Sequence, residues 1–268
     1  MLKIENLSCG YNSQFILSNI NLQVKRGELL GIIGPNGAGK TTLIRAISRV
    51  IKPLKGNIFL QGENIYRINL KDFFKKVAIV SADLDCKNIM KVKDFILLGR
   101  IPHYQKFQFL ESKRDLEVLE EVLRLTQTER FKERFLCELS SGEKQLVFIA
   151  QALAQESQLL ILDEPVAHLD IAHQIEILDL LTRLNQELNL TIIMTLHNLN
   201  LASEYCQRIV LLSEGKIFKA GTPQEVISSE VIEKVYKTKV LVKENPLTSK
   251  PYIFLILHKE RRNNERFN

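Results

Sequence analysis

The sequence lacks several features that would assign it to a particular class of protein. No run of apolar residues approaches the roughly 20 that an α-helix needs to cross a bilayer, and the longest run near the C-terminus, 253–257, has only the length of a strand. The four cysteines are scattered and show no paired spacing typical of a zinc site. A signal sequence, a fixed-period repeat and a low-complexity tract are also missing. We therefore expect a cytosolic protein with reduced thiols, which would work at a membrane only through other chains.

The composition is that of an ordinary globular protein. The chain has 268 residues, of which 45% are hydrophobic and 25% charged, and this suffices for one large α/β domain or a core with a smaller subdomain. The net charge of +6 fits an anionic nucleotide, a membrane surface or nucleic acid, and selects none of them. Much of the basic excess lies in 259–266, which we interpret as a solvated terminal segment.

One glycine-rich stretch, 34–42, organises the rest of the chain. It follows an apolar run (29–33) and precedes a helical pattern (43–47), so that Gly-x4-Gly-Lys-Thr lies in a strand–turn–helix context. The glycines let backbone N–H groups approach a polyphosphate, and the helix N-terminus adds positive potential. The pattern predicts that Lys40 reaches the β- and γ-phosphates of the bound polyphosphate and that Thr41 places its hydroxyl on Mg²⁺. The predicted nucleotide-binding residues of this stretch are Gly34, Pro35, Asn36, Gly37, Ala38, Gly39, Lys40, Thr41 and Thr42.

Two carboxylates, Asp163 and Glu164, end a second apolar run at 159–162. A buried strand that ends in this way is typical of a phosphoryl-transfer site, in which Asp163 would hold Mg²⁺ and Glu164 would orient an attacking water. His197 follows a third apolar run, 191–195, where its imidazole would meet the γ-phosphate. The alternative for Asp163 and Glu164 is that they are two carboxylates in an ordinary turn. The alternative for His197 is a purely structural histidine.

The first residues alternate in polarity and predict two antiparallel strands beside the nucleotide site. Tyr11 would lie at the end of the first strand, where it is either a half-buried anchor or a platform for the adenine ring. From 82 to 139 the chain becomes charged and favours helix, with apolar residues at helical spacing in 115–123. This predicts a helical subdomain, about 83–157, inserted into the α/β core.

The segment 139–145, Leu-Ser-Ser-Gly-Glu-Lys-Gln, leads into another helical pattern. A Ser-Ser-Gly start is typical of a helix N-cap. The hydroxyls of Ser140 and Ser141 and the backbone of Gly142 would also make an anion site at the helix N-terminus. Because the phosphate loop would already hold the triphosphate, a second anion site suggests ATP clamped between two copies of the chain.

Taken together, these motifs resemble those of an ATP-binding cassette (ABC) ATPase over essentially the full length of the chain. The motifs that match in order are Tyr11, the phosphate loop, 139–145, Asp163-Glu164, the Ala-His-Leu-Asp segment 167–170 and His197. The resemblance implies a P-loop NTPase (RecA-like) core with an N-terminal antiparallel β-subdomain and an inserted helical subdomain. It also implies a head-to-tail dimer in which Ser140 and Gly142 of one copy cap the ATP held by the other, with Asp170 among the ATP-binding residues. Closing and reopening of this dimer would drive membrane-spanning permease subunits.

A narrower resemblance rests on Gly99-Arg100-Ile101-Pro102-His103. This Gly-Arg-x-Pro-His sequence is similar to one in the ATPases of iron–siderophore, haem and vitamin B12 importers, and 240–253 is similar to their C-terminal region. The alternative is a helix C-terminus punctuated by glycine and proline. The resemblance implies an ABC ATPase domain over 1–239 and a C-terminal extension over 240–268. It further implies a peripheral location at the cytoplasmic face of the inner membrane and, indirectly, a substrate-binding protein as a partner.

Some positions depart from the family pattern. Ser141 and Glu143 occupy places that the family gives to a glycine and a glutamine. Ser141 adds only a hydroxymethyl group and Glu143 is expected to point away from the phosphates, so function should survive. Ala82 stands where the family has a glutamine that contacts Mg²⁺ and senses the membrane subunit, and alanine can do neither. Asp83 is the candidate oxygen ligand in its place, after a shift of one residue.

The sequence therefore favours the ATP-hydrolysing subunit of a membrane importer for an iron chelate, haem or cobalamin, with ATP and Mg²⁺ as cofactors. An ATPase of an exporter or of another importer class is the nearest alternative. A soluble ABC protein acting on DNA or ribosomes is disfavoured, because such proteins usually carry long coiled-coil insertions or two cassettes. No nucleic-acid partner is expected. A kinase using the same loop would leave 139–145 unexplained.

Overall fold

The computed structural model describes residues 1–11, 14–81, 89–106, 108 and 110–256. It separates into two compact units, each built from several segments of the chain. The first unit comprises 1–3, 24–28 and 58–194, and the second comprises 4–23, 29–57 and the residues from 195 onwards. Within the described ranges, none of the helices is both long enough and apolar enough to span a bilayer.

Strands and helices alternate along much of the chain. The strands are β1 (Leu2–Tyr11), β2 (Gln14–Val24), β3 (Leu29–Ile33), β4 (Lys55–Leu60), β5 (Glu63–Asn64), β6 (Val77–Val80), β7 (Leu159–Leu162), β8 (Thr191–Thr195), β9 (Arg208–Ser213), β10 (Lys216–Gly221), β11 (Val240–Glu244) and β12 (Pro251–Leu255). The α-helices are α1 (Lys40–Ile47), α2 (Leu70–Lys76), α3 (Val92–Leu97), α4 (Lys113–Thr126), α5 (Ser141–Leu153), α6 (Ile171–Leu188), α7 (Leu199–Tyr205), α8 (Pro223–Val226) and α9 (Ser229–Tyr236). Short 3₁₀ helices cover Leu98–His103, Glu129–Phe131 and Leu136–Glu138. The predicted α/β fold is confirmed.

Parallel strands form the sheet of the first unit, in the order β6–β7–β8. β7 and β8 are buried along their whole length. Strands covered on both faces are continuous apolar runs, which is why β7 and β8 are easily recognised in the sequence. The carboxyl end of β7 delivers Asp163 and Glu164 to one edge of this sheet.

The helices α3, α4 and α5 of the first unit share a hydrophobic core. Its fully buried members include Val92, Ile96, Leu123, Leu136, Val147 and Ala150. α4 begins with a capping box, in which Ser112 and Asp115 accept each other's backbone N–H. It ends at Gln127, which adopts a left-handed conformation (φ 56°). The helical spacing predicted over 115–123 is thus confirmed by α4.

In the second unit, β3 pairs in parallel with β9, and β9 pairs antiparallel with β10. The turn between β9 and β10 consists of Glu214 (φ 49°) and Gly215 (φ 71°), and two left-handed residues are what a tight hairpin of this length requires. β2 lies beside β1 in a separate sheet. β3 is buried throughout and leads directly into the stretch 34–42.

The C-terminal part of the second unit packs on the helix that follows His197. β11 and β12 form an antiparallel hairpin. The side chain of Asn200 on α7 both donates to the carbonyl oxygen of Ile253 (3.2 Å) and accepts its N–H (2.8 Å). The buried hydroxyl of Ser203 donates to the carbonyl oxygen of Pro251 (2.6 Å). These bonds fix α7 to the hairpin.

Two features singled out in the sequence lie outside the described residues. They are Ala82 with its neighbour Asp83, and the basic segment 259–266.

Candidate nucleotide site

The stretch 34–42 forms a loop whose backbone requires glycine at several places. Gly34 has a φ of 151°, and a Cβ there would lie 2.3 Å from the carbonyl oxygen of Leu212. Gly39 has a φ of 100°, and a Cβ there would lie 2.4 Å from a side-chain carbon of Leu17. Gly37 also has a positive φ (78°), but no described heavy atom lies within 4 Å of an added Cβ. The loop is therefore packed tightly at its ends and open to solvent in its middle.

Lys40 directs its ammonium group into this loop. Its Nζ donates to the carbonyl oxygen of Gly34 (2.8 Å) and lies 3.2 Å from that of Pro35. The residue is only 5% exposed. A cation held against a glycine-rich backbone is suited to the oxygens of a polyphosphate.

The N-terminus of α1 adds a second attraction for anions. Among the residues that the structure describes, none caps α1 with its side chain, and its first turn contains no acidic residue. The first N–H groups of a helix lack partners within the helix and carry partial positive charge. Thr41 is half-buried in this turn, and its hydroxyl is the kind of hard oxygen donor that Mg²⁺ takes.

The backbone brings His197 close to the phosphate loop within the second unit. The N–H of Leu196 donates to the carbonyl oxygen of Ile32 (3.1 Å), so the chain that enters His197 runs beside the end of β3. His197 itself is exposed. α7 follows at once, with the side chain of Asn198 as its N-cap. The backbone therefore places His197 near the phosphate loop, and the contact of its imidazole with a γ-phosphate stays a prediction.

Tyr11 lies at the end of β1 and is 38% exposed. Its hydroxyl accepts a hydrogen bond from Nη1 of Arg45 (3.1 Å), which belongs to α1. The hydroxyl is thus anchored while much of the ring remains exposed. The two predicted roles of Tyr11 are therefore compatible, because the hydroxyl can anchor the side chain while the ring stays available to stack on adenine.

Asp163 and Glu164 stand at a sharp change of backbone direction in the first unit. The N–H of Asp163 donates to the carbonyl oxygen of Val80 (2.9 Å), which extends the pairing of β6 and β7 by one residue. The side chain of Asp163 is buried, with 7% exposure for the residue. Glu164 adopts a left-handed conformation (φ 53°), which is uncommon for a residue other than glycine and clusters at functional sites.

Ser140 caps α5, and Glu143 completes a capping box. The N–H of Glu143 donates to Oγ of Ser140 (3.3 Å), and the Glu143 carboxylate accepts the N–H of Ser140 (2.9 Å). This bond lowers the pKa of Glu143. The carboxylate of Glu143 therefore folds back to the same helix end as Ser140, and its orientation relative to the phosphates stays a prediction. The Ser140 hydroxyl still carries a proton of its own that an anion can accept.

Gly142 is enclosed by the imidazole of His173. A Cβ on Gly142 would lie 2.1 Å from Cδ2 of that ring. Asp170, the N-cap of α6, holds the ring by a contact of 2.9 Å between its Oδ1 and Nδ1 of His173. Asp170 also accepts the N–H of His173, and this bond lowers the pKa of Asp170. The segments 139–145 and 167–170 are thus in contact through a residue that the sequence analysis missed.

Tyr236, at the end of α9, is a second residue that the sequence analysis missed. Burial raises its pKa, and a hydrogen bond from the backbone N–H of Gly34 opposes that shift. The C-terminal part of the second unit therefore touches the phosphate loop directly. Local pattern could not reveal this contact, because the two residues are far apart along the chain.

Comparisons with known proteins agree with these features. The family model described as "ABC transporter" matches residues 17–167. The iron(3+)-hydroxamate import ATP-binding protein FhuC of Bacillus subtilis is 36% identical over 250 residues, which cover 93% of this chain and 93% of that protein. The solved structure of an inward-facing transporter assigned to the metal-chelate type has a TM-score of 0.84 at 25% identity and covers 97% of this chain and 98% of its own. A dimeric structure of a bacterial ABC transporter cassette has a TM-score of 0.73 at 27% identity, with coverage of 83% and 98%.

Proposed function

The chain belongs to the ABC transporter family, as a subunit that hydrolyses ATP to energise transport, and on this premise we propose that it powers a membrane importer for iron chelates. The observation that carries the proposal is the 36% identity to an iron(3+)-hydroxamate import protein across 93% of both chains. The metal-chelate type of the similar solved transporter supports the same class, as does Gly-Arg-x-Pro-His at 99–103. An iron–siderophore complex is the favoured cargo, and haem and cobalamin are the other candidates.

The proposed cycle uses two copies of the chain. The phosphate loop of one copy holds ATP through its backbone N–H groups and Lys40, while Ser140 and Gly142 of the other copy cap the same nucleotide. The similarity to a dimeric cassette supports this arrangement. Tyr11 stacks on the adenine, and Asp170 contributes from the segment that touches Gly142. ATP binding closes the pair, and hydrolysis reopens it.

The reaction transfers the γ-phosphoryl group of ATP to water. Glu164 orients and polarises the attacking water as general base, and Lys40 stabilises the charge on the transferred group. The side chain of His197 contacts the γ-phosphate. The hydroxyl of Thr41 and the carboxylate of Asp163 are the proposed ligands of Mg²⁺, which neutralises phosphate charge when bound and suits such hard oxygen donors. Asp83 is a further candidate ligand outside the described residues.

Transport requires partners that this chain does not supply. We propose that it lies peripherally at the cytoplasmic face of the cell membrane, bound to membrane-spanning permease subunits. A separate substrate-binding protein would deliver the chelate to the permease. Selectivity for the cargo then resides in those partners and not in the ATPase.

The proposal is tested by purifying the tagged chain from its native membranes and identifying what accompanies it. We expect a permease with many membrane spans, and an untagged strain gives the control. The permease, this chain and the companion binding protein are then reconstituted in vesicles and assayed for uptake of ferric hydroxamate, haem and cobalamin. ATP-dependent uptake of ferric hydroxamate supports the proposal. Uptake of haem or cobalamin alone would show that this molecule, and not an iron–siderophore complex, is the cargo. Recovery of ribosomal or DNA-repair proteins without a permease overturns it.

A further inference from the structure

Arg100 is the buried centre of a polar cluster in the first unit that contains the buried Asp115 and the exposed Glu156. Arg100 itself is only 3% exposed. Its Nε donates to Oδ1 of Asp115 (2.8 Å), and its Nη1 donates to the carbonyl oxygen of Ala154 (2.6 Å) and to Oε2 of Glu156 (2.7 Å). A guanidinium is tolerated at such depth only when its donors are paired. Its planar fork allows one side chain to hold several acceptors at once.

The acceptors of Arg100 mark the ends of two helices. Asp115 belongs to the capping box that begins α4. Ala154 is the C-cap of α5, and Glu156 follows two residues later. One guanidinium therefore fixes the start of α4 relative to the end of α5.

The other end of α5 carries Ser140 and Gly142. α5 has 13 residues, so that its two ends are about 20 Å apart. A helix of this length moves as a nearly rigid rod. A displacement at its C-terminal end is therefore carried to the Ser140 end.

Gly99 and His103 strengthen the same connection. A Cβ on Gly99 would lie 2.2 Å from the carbonyl oxygen of Gln151, in the last turns of α5. Nε2 of His103 lies 2.9 Å from the carbonyl oxygen of Gln155. The side-chain amide of Gln155 donates in turn to the carbonyl oxygen of Val77 (2.7 Å), the first residue of β6. Gln155 thus connects the C-terminal end of α5 to β6, and Gly99 and His103 pack against this connection.

We propose that Gly99, Arg100 and His103 form a joint that holds α5 in place against the sheet edge carrying Asp163. β6 completes the connection, because its last residue, Val80, accepts the N–H of Asp163 (2.9 Å). Arg100 is then a positioning residue for ATP hydrolysis. This inference rests on the proposed function, in which Ser140 and Gly142 of one copy act on the nucleotide of the other. It follows that the joint governs turnover and not the first binding of ATP to the phosphate loop.

Arg100→Lys tests the joint. Lysine keeps the positive charge for Asp115 but cannot reach Ala154 and Glu156 at the same time. We expect kcat for ATP hydrolysis to fall at least tenfold, with Kd for ATP of the isolated chain changed less than twofold. Arg114→Lys is the matched control, since Arg114 contacts the same Glu156 carboxylate (2.5 Å) from an exposed position. That variant should retain the kcat of the unaltered chain.

A second control separates positioning from loss of stability. Val122 is buried in the same helical core, so Val122→Ala should lower Tm without touching the joint. Equal loss of kcat in Val122→Ala and Arg100→Lys, each assayed well below its Tm, would overturn the inference. If Arg100→Lys does not fold, His103→Leu removes one bond of the same joint, and we expect a two- to fivefold loss of kcat. An unchanged kcat in that variant would equally overturn the inference.

The two proposals fail in different ways. If the unaltered chain hydrolyses no ATP with its permease, the proposed function fails, whatever Arg100 does. If the unaltered chain and Arg100→Lys hydrolyse ATP equally well, the joint alone is refuted.

Discussion

The imidazole of His173 lies directly over Gly142, so close that a Cβ on the glycine would be 2.1 Å from the ring carbon Cδ2. Gly142 lies inside α5, where alanine would favour the helix by about 1 kcal/mol. A loss of activity in Gly142→Ala would then come from the added methyl group and not from a weaker helix, and we attribute it to displacement of the ring and its neighbour Asp170. We expect hydrolysis to fall at least about tenfold, equivalent to about 1.4 kcal/mol of activation free energy.

The double variant Gly142→Ala with His173→Ala tests this cause. It removes the ring that the new methyl group would meet, so activity should recover in part relative to Gly142→Ala. Steady-state phosphate release measures both. Full activity in Gly142→Ala alone would show that the contact is unimportant for turnover.

Lys40→Ala should weaken nucleotide binding. The substitution removes the cation that lies against the carbonyl oxygens of Gly34 and Pro35. Charge-assisted hydrogen bonds contribute roughly 1.5–3 kcal/mol, so Kd for ATP should rise by at least about tenfold. Titration with a fluorescent ATP analogue measures the effect, and the exposed Lys25→Ala is the control. An unchanged affinity would remove Lys40 from the phosphate site.

Tyr236→Phe should disturb the phosphate loop more mildly. The phenol hydroxyl is a partner of the Gly34 N–H, and its loss costs about 1 kcal/mol of hydrogen bonding. We expect KM for ATP to rise about three- to tenfold while the protein stays folded. Tyr252→Phe, in the C-terminal hairpin, is the matched control. Equal kinetics in the two variants would refute a role for Tyr236 in shaping the loop.

Asp115→Asn should reduce the stability of the chain near neutral pH. Burial raises the pKa of Asp115, but hydrogen bonds from Arg100 and Ser112 outweigh it and lower the pKa to about 2. A depressed pKa stabilises the folded state above the unfolded pKa, near 4, and this contribution is lost as the pH falls from about 4 to about 2.

The shift in the pKa of Asp115 corresponds to about 2 kcal/mol in the free energy of unfolding. Denaturant unfolding at pH 7 and pH 3 measures it. The difference between the unaltered chain and Asp115→Asn should shrink at the lower pH, and the exposed Glu121→Gln should show no such trend. A difference that is the same at both pH values would contradict the ion-pair account.

Sequence pattern was sufficient wherever a local rule decides the structure. The run 159–162 is predicted as a buried strand and forms β7, because a strand covered on both faces must be apolar throughout. The Glu-Gly pair at 214–215 likewise favours a tight hairpin turn by its residue types, and both residues are left-handed in the structure. The phosphate loop is recognisable because its glycines are demanded by backbone angle and close packing.

Pattern was less successful where rotation around a helix matters. Ile175, Leu178 and Leu181 recur at helical spacing in the sequence of α6, which favours a single apolar stripe. Leu178 and Leu181 are buried, but Ile175 is 44% exposed. Residues three positions apart are offset by about 60° around a helix. Ile175 therefore lies outside the buried face of α6 that contains Leu181.

Contacts between distant parts of the chain were beyond sequence reasoning. Arg100 reaches Asp115 and Glu156, and His173 covers Gly142. Neither pairing leaves a periodic signal, because each depends on how the helices pack. The sequence indicates the Gly-Arg-x-Pro-His segment only through its resemblance to other proteins, whereas the contacts of Gly99, Arg100 and His103 supply a physical reason for those three residue types.

The most direct test of the central claim is ATP hydrolysis by Glu164→Gln. Glutamine keeps the size of the side chain at the left-handed position (φ 53°) but cannot serve as a base, so turnover should fall by at least about a hundredfold. Kd for ATP should be unchanged. Native mass measurement with ATP and Mg²⁺ should show the variant trapped as a dimer with bound ATP, whereas Glu129→Gln, at an exposed site, should behave as the unaltered chain. Undiminished phosphate release by Glu164→Gln would contradict the account, because Glu164 could then not be the general base for the attacking water.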